Sequence, residues 1–219
     1  MFIWRKALIA FGCLALSACS FHSGPPPFTA SGYIADDGVV RLWRKDDSSE
    51  GVHLMMAFTP LRDGHTTLSE YHWQGEQLTS LEVNITGRDP EQVKLRFDTK
   101  GNVSFMQRQL QGQKQQLSTD SIAMYQYRAG QVRSISDALR SGRVKLYQGR
   151  WQPGGKVLTC EGTTIAPALD SFALSKISSR QSHSAQAVSV AWLEAPEGTQ
   201  LLLIENEDVC GWQPKADTF

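Results

Sequence analysis

Leu81-Glu82-Val83-Asn84-Ile85 and Val93-Lys94-Leu95-Arg96-Phe97 are the two stretches that decide the fold. In both of them, apolar side chains alternate with polar ones. Because successive side chains of a β-strand point to opposite faces, this alternation collects the apolar groups on one face. Such a pattern is typical of half-buried antiparallel strands. The two stretches therefore predict a sheet that buries one face and exposes the other to water.

Similar strand-like segments surround this pair and are separated by turn residues. Asp36-Asp37-Gly38 lies between two of them, and an Asp-Gly pair in that position is typical of a β-hairpin. Pro60 and Gln74-Gly75-Glu76 end two others. We therefore expect an antiparallel β-meander. Its further strands are predicted at 29–35, 39–44, 53–59, 66–73 and 103–110.

Between Ser118 and Gly142 the apolar residues recur at spacings of three and four, which predicts an amphipathic α-helix. Ser118 or Thr119 can cap its start, and Gly142 can close its end. Gly130 costs about 1 kcal/mol relative to Ala, so the helix can bend or split there. We expect the helix to cover the apolar face of the sheet; the alternative is that it binds a partner. Its apolar stripe consists of Ile122, Tyr125, Ala129, Val132, Ile135 and Leu139.

The rest of the chain predicts a second, smaller sheet. Its strands are expected at 143–148, 156–161, 187–193 and 200–204. The last of these is almost continuously apolar, which is typical of a strand buried on both faces. Residues 167–179 are compatible with either a short helix or an ordered loop.

The fold class that these patterns predict is α+β. It consists of a mainly antiparallel β-sheet, as a meander or partial barrel, with one amphipathic helix packed on it and a smaller C-terminal β-sheet. The sheet-plus-helix part spans 28–142 and the C-terminal β-rich part spans 143–219. The two parts form either separate domains or one continuous domain.

Leu16-Ser17-Ala18-Cys19 has the form of a bacterial lipobox, in which the Cys thiol receives a lipid and the chain is cut before it. Arg5 and Lys6 precede an apolar run, as in a secretory signal. That run is about half of the ~20 residues needed to span a bilayer. We expect a lipoprotein signal peptide over 1–18; the alternative is an ordinary signal peptide cut after Ala18.

Cys19 is thus the expected lipidation site, and it begins a proline-rich tether over 19–27. Two or more acyl chains on one Cys give stable anchoring to a membrane. In Gram-negative lipoproteins an Asp after the lipidated Cys favours retention in the inner membrane, and Ser20 occupies that position here. The sequence therefore predicts an outer-membrane protein that faces the periplasm and contacts the membrane through Cys19.

The chain carries 22 basic and 22 acidic residues, so it has no excess of positive charge for binding nucleic acid. A nucleic-acid partner is therefore not expected. No phosphate-binding glycine loop precedes the helix, and no cofactor is predicted.

Cys160 and Cys210 are the two thiols that remain once Cys13 is removed with the signal and Cys19 carries lipid. An even number of Cys residues in an oxidising compartment favours a disulfide. The alternatives are a redox-active pair, although no Cys-x-x-Cys is present, and two buried free thiols.

The lipobox, the segment Ser20–Pro26 and the run Ala191–Gly198 together resemble an uncharacterised enterobacterial lipoprotein family, the domain-of-unknown-function 1481 family. The resemblance implies a small exported lipoprotein without an assigned activity. It transfers no functional residue to this chain.

Chemically active side chains form no recognisable motif. His53, His65 and His72 fall close together in the sequence, and Glu70 shares a strand face with His72, but the paired ligand motifs of zinc sites are absent. No serine lies in a Gly-x-Ser-x-Gly or functional Ser-x-x-Lys motif. We therefore predict no catalytic and no metal-binding residues, with surface or hydrogen-bonded histidines as the default.

A non-catalytic binding or interaction module of the cell envelope fits these patterns best, with an envelope protein, the cell wall or a lipid as partner. A lipid-handling version requires an apolar cavity between sheet and helix. The alternatives are a periplasmic hydrolase without a recognisable motif and a metal-binding protein.

Overall fold

The computed structural model describes residues 25–62 and 65–219. The predicted signal peptide, the lipidation site Cys19 and most of the tether lie outside these ranges. Within them, no helix combines the length and the apolar character that crossing a membrane requires.

The first sheet is an eight-stranded antiparallel meander in which every strand pairs with the next one along the chain. It is open and does not close into a barrel, so the predicted α+β meander is confirmed. The short polar strand β8 is the one strand of this sheet that the sequence did not predict. The strands are β1 Phe28–Ile34, β2 Gly38–Asp46, β3 Gly51–Pro60, β4 Thr67–Gln74, β5 Gln77–Ile85, β6 Glu91–Phe97, β7 Val103–Leu110 and β8 Gln113–Gln115.

The alternating residues pair across this sheet as their pattern predicts. Leu81 lies opposite Leu95, and Val83 lies opposite Val93. All four side chains are buried in one cluster with residues of β2, β3 and β4. One face of the sheet therefore forms the main hydrophobic core.

Helix α1, Thr119–Ser141, covers that core and confirms the predicted amphipathic helix. The Ser118 side chain accepts a hydrogen bond from the Ser121 N–H, and the Gly142 N–H donates to Ala138 O. The helix continues through Gly130 without a break. Ala129 and Val132 are buried against the sheet. Packed side chains thus fill the interface, which counts against a lipid cavity between sheet and helix.

The second sheet has five antiparallel strands in the order β11-β10-β9-β12-β13. It packs on the other face of the first sheet, where Trp43 and Ala57 share a buried cluster with Leu146 and Ala191. One hydrophobic cluster therefore belongs to both sheets. The strands are β9 Lys145–Gln152, β10 Lys156–Thr159, β11 Thr164–Ile165, β12 Ser189–Ala195 and β13 Gly198–Glu205.

In this part the structure decides one segment that the sequence left open, and it differs from the prediction for another. The undecided region contains helix α2, Ser171–Ser182, which Asp170 caps by accepting a hydrogen bond from the Ala173 N–H at 2.7 Å. Strand β13 is an edge strand whose apolar side chains contact clusters on both faces, but only Leu202 in it is fully buried. The strand is apolar because its side chains contact hydrophobic clusters on both faces, although it lies at the edge of the sheet.

Candidate functional site

Cys160 and Cys210 form a disulfide bond, which confirms the pairing predicted by counting thiols. The bond joins the end of β10 to the segment that follows β13. It therefore fixes the start of the last stretch of chain, residues 206–219, against the second sheet.

Residues 206–219 return to the first sheet and contact its outer face, the side opposite α1. The Trp212 ring meets Trp43 edge-on, with centroids 5.6 Å apart. Phe219 stacks on His53 with ring centroids 3.8 Å apart, and Lys45 Nζ donates to Phe219 O at 2.5 Å. The disulfide and these aromatic contacts place Phe219 beside the histidines of β3 and β4.

Next to the Phe219 side chain, the outer face of the first sheet is polar and partly open to solvent. Lys94 Nζ contacts Glu82 Oε1 at 2.9 Å, so β5 and β6 carry an ion pair there. The Arg96 guanidinium lies 5.4 Å from the ring centroid of Phe105, which is 43% exposed. We call this surface the open face; it is formed by Glu70, His72, Ser80, Glu82, Lys94, Arg96 and Phe105.

His53, Glu70 and His72 form a cluster where the open face meets Phe219. His53 pairs with His72 across β3 and β4, and the two rings stack with centroids 4.1 Å apart. Glu70 precedes His72 by two residues and so shares its face. One candidate ligand atom from each of the three residues lies within 4.8 Å of the others.

His65, the third histidine of the sequence hypothesis, lies elsewhere. A Cβ added to Gly87 would meet the His65 ring at 2.2 Å, so His65 packs against the loop between β5 and β6. Gly87 has a φ of +107°, a conformation that glycine adopts without a steric penalty. The structure therefore brings together two of the three histidines and Glu70.

The ionisation of this cluster follows from its contacts. The interaction with His53 holds the pKa of Glu70 below its ordinary value, the positive charges of His53, His72 and Lys94 act in the same direction, and burial opposes them. Burial lowers the pKa of His72, as does the charge of His53, whereas Glu70 opposes that change. At neutral pH the cluster therefore presents an ionised carboxylate beside a neutral His72 imidazole.

One nitrogen of the cluster lacks a good hydrogen bond. His53 Nε2 is 3.5 Å from Glu70 Oε2, which is beyond the usual range for an N–H···O hydrogen bond. That nitrogen is buried, and it has no hydrogen-bond partner in the described part of the chain. The two side chains are therefore close without a good hydrogen bond, and His53 keeps an unused donor or acceptor.

Two surface clefts meet at His72. One, of about 240 Å³, runs along the open face past Ser80, Lys94 and Phe105. The other, of about 390 Å³, runs between His53, Phe219 and the β2–β3 turn. His72 thus lines both clefts.

A family model described as "Protein of unknown function (DUF1481)" matches residues 30–215. The chain is also 56% identical over 217 residues to the "Uncharacterized protein YjaH" of Escherichia coli strain K12, covering 99% of this chain and 94% of that protein. The chain belongs to the DUF1481 family. The resemblance noted in the sequence is thereby confirmed for the family. No solved structure gives a significant match.

The first cleft also tests the hydrolase alternative, because it brings Ser80, His72 and two carboxylates together. Nucleophilic catalysis uses a hydrogen bond of about 2.6–3.2 Å between the serine and its base. In the described residues the His72 ring stacks on His53, and Ser80 makes no side-chain hydrogen bond with it. The cleft thus gathers the residue types of the hydrolase alternative without the serine–base hydrogen bond that this chemistry uses.

The sequence predicted that Glu70 and His72 share one strand face. It did not predict that His53 and Phe219 lie beside them. Alternation along β4 was the signal for the first pair. The His53–His72 pairing depends on the register of β3 and β4, and the Phe219 contact depends on the path of the last residues.

Proposed function

We propose that this DUF1481 protein is a non-catalytic binding module, held at the periplasmic side of the outer membrane by lipid on Cys19. The lipobox and Ser20 support the anchor. The Cys160–Cys210 disulfide supports an oxidising compartment such as the periplasm, since structural disulfides are rare in reducing ones.

The observation that carries the binding role is the open face itself. On this face Phe105 is 43% exposed, and the guanidinium of Arg96 lies over its ring. Aromatic residues and Arg are the side chains most enriched at protein interfaces. The adjoining cleft supplies a concave contact surface next to them.

The charges of the open face indicate the kind of partner. Arg96 is exposed, whereas Lys94 is paired with Glu82. A segment of an envelope protein with an acidic group and an apolar side chain would meet Arg96 and Phe105 together. We therefore favour a protein partner over lipid, because the sheet–helix interface is packed with side chains.

A crosslinking pull-down from intact envelopes tests this proposal. Wild-type protein should recover a reproducible partner, and Arg96→Glu with Phe105→Ser should lose it. Tyr127→Ser is the matched control, because Tyr127 is 64% exposed and belongs to α1, which packs on the opposite face of the first sheet. Equal recovery by all three proteins would contradict a role for the open face.

A further inference from the structure

We propose that His53, Glu70 and His72 form a binding site for a divalent transition-metal ion such as Zn²⁺. The proposal goes beyond the binding module described above, because metal binding here requires neither the lipid anchor nor a partner. Its failure would leave the proposed function standing.

The sheet brings the three ligands together by its geometry. His53 and His72 are directly opposed on antiparallel strands, where Cβ atoms lie about 4.5–5.5 Å apart. Glu70 joins them because residues two apart on a strand share a face. These positions belong to paired strands of the first sheet, so the proximity of the three side chains is set by the fold.

The buried nitrogen of His53 is an independent indication of a ligand. His53 Nε2 is buried without a hydrogen-bond partner among the described residues. Buried polar atoms are almost always satisfied, so each exception calls for an explanation such as an ion. A metal bound between His53 and the carboxylate of Glu70, 3.5 Å away, would use this nitrogen.

The donor set selects the class of ion. Two imidazole nitrogens and one carboxylate oxygen suit Zn²⁺ and the neighbouring transition metals, whereas Ca²⁺ and Mg²⁺ prefer all-oxygen sites. Three protein ligands leave a coordination position open to water. Because His72 lines both clefts, that position is accessible from the solvent.

Binding requires a defined side-chain rearrangement. The rings of His53 and His72 are nearly parallel, with an angle of 17° between their planes, so their nitrogen lone pairs do not converge. The ligand atoms lie within 4.8 Å of one another, whereas ligands of one tetrahedral zinc with bonds of ~2.0–2.1 Å are roughly 3.3 Å apart. His53 is held between His72 and Phe219, so His72 is the ring that we expect to turn.

Isothermal titration of the full mature protein in detergent with Zn²⁺ tests the site. We expect one saturable site per chain, and His53→Asn, His72→Asn and Glu70→Gln should each weaken it by at least about tenfold. His65→Asn and His183→Asn are matched controls, since both histidines are exposed and lie outside the cluster. The absence of saturable binding, or equal affinity in the cluster variants, would overturn the proposal.

A measurement on the wild-type protein removes any dependence on the folding of the variants. Diethylpyrocarbonate modifies free imidazoles, and mass spectrometry locates the modified residues. Zn²⁺ should slow the modification of His72 and leave that of His183 unchanged. Equal rates for His72 with and without Zn²⁺ would overturn the site.

Discussion

Arg41 and Gln148 are both almost fully buried, and they bond to each other between the two sheets: Arg41 Nη1 donates to Gln148 Oε1 at 3.0 Å. Arg41 Nη2 also donates to Thr59 Oγ1, and Gln148 Nε2 donates to Val209 O. Burial lowers the pKa of Arg41 to about 10, while the charge of Glu205 opposes that change. Gln148 therefore connects β2 of the first sheet to the segment that the disulfide holds.

Gln148→Leu should destabilise the fold by about 1–3 kcal/mol, because it leaves a buried guanidinium donor and a backbone carbonyl without partners. Urea denaturation followed by circular dichroism measures the change. Gln152→Leu, on the same strand but only half-buried, should change the free energy of unfolding much less. Equal effects of the two variants would show that the Arg41–Gln148 bond contributes nothing specific.

Replacing both Cys160 and Cys210 with Ser should destabilise the protein by roughly 4 kcal/mol, the chain-entropy value for a loop of about 50 residues. The unfolding midpoint of the double variant should match that of reduced wild-type protein. Intact-mass analysis provides the companion test: without reductant, neither Cys160 nor Cys210 should react with an alkylating agent. Two alkylated residues at these positions would rule out the bond.

Glu205→Gln should raise stability at pH 7 and have little effect at pH 4. Burial raises the pKa of Glu205 in the folded protein, with Glu207 acting in the same direction and Arg180 and Arg41 opposing. The folded state thus holds the proton of the Glu205 carboxyl more tightly than the unfolded chain does. Stability therefore falls as the pH rises above 4.5, the ordinary pKa of a glutamate.

Gln is neutral at every pH, so Glu205→Gln removes this loss of stability. Urea midpoints at the two pH values measure the difference, and Glu197→Gln is the control because Glu197 is exposed in the turn between β12 and β13. A lower midpoint for Glu205→Gln at pH 7 would mean that attraction to Arg41 and Arg180 outweighs burial.

Cys19→Ala should release the protein from the outer-membrane fraction, because the acylated thiol is the proposed anchor. Cys13→Ala lies within the predicted signal and should leave fractionation unchanged. Immunoblots of separated inner membrane, outer membrane and soluble fractions make the comparison. Continued outer-membrane fractionation of Cys19→Ala would contradict the anchor.

The sequence predicted the elements whose signals are local. Period-two alternation identified β5 and β6, spacings of three and four identified α1, and counting thiols identified the Cys160–Cys210 bond. The strands β8 and β11 carried no such signal, because they have only three and two residues.

Features that depend on distant contacts were not predictable in this way. Arg41 reads as a solvent-facing residue of β2, and it is buried only because the second sheet packs over it. His53 reads as an isolated histidine until strand register brings it opposite His72 and the last residues bring Phe219 onto its ring.

Site-specific photo-crosslinking in living cells tests most directly whether the open face binds a partner at the envelope. A photoreactive phenylalanine analogue at Phe105 should form a discrete adduct with one envelope protein, because Phe105 is exposed next to the cleft. The same analogue at Tyr127 should not form it. An absence of adducts from Phe105, or the same adduct from both positions, would contradict the account.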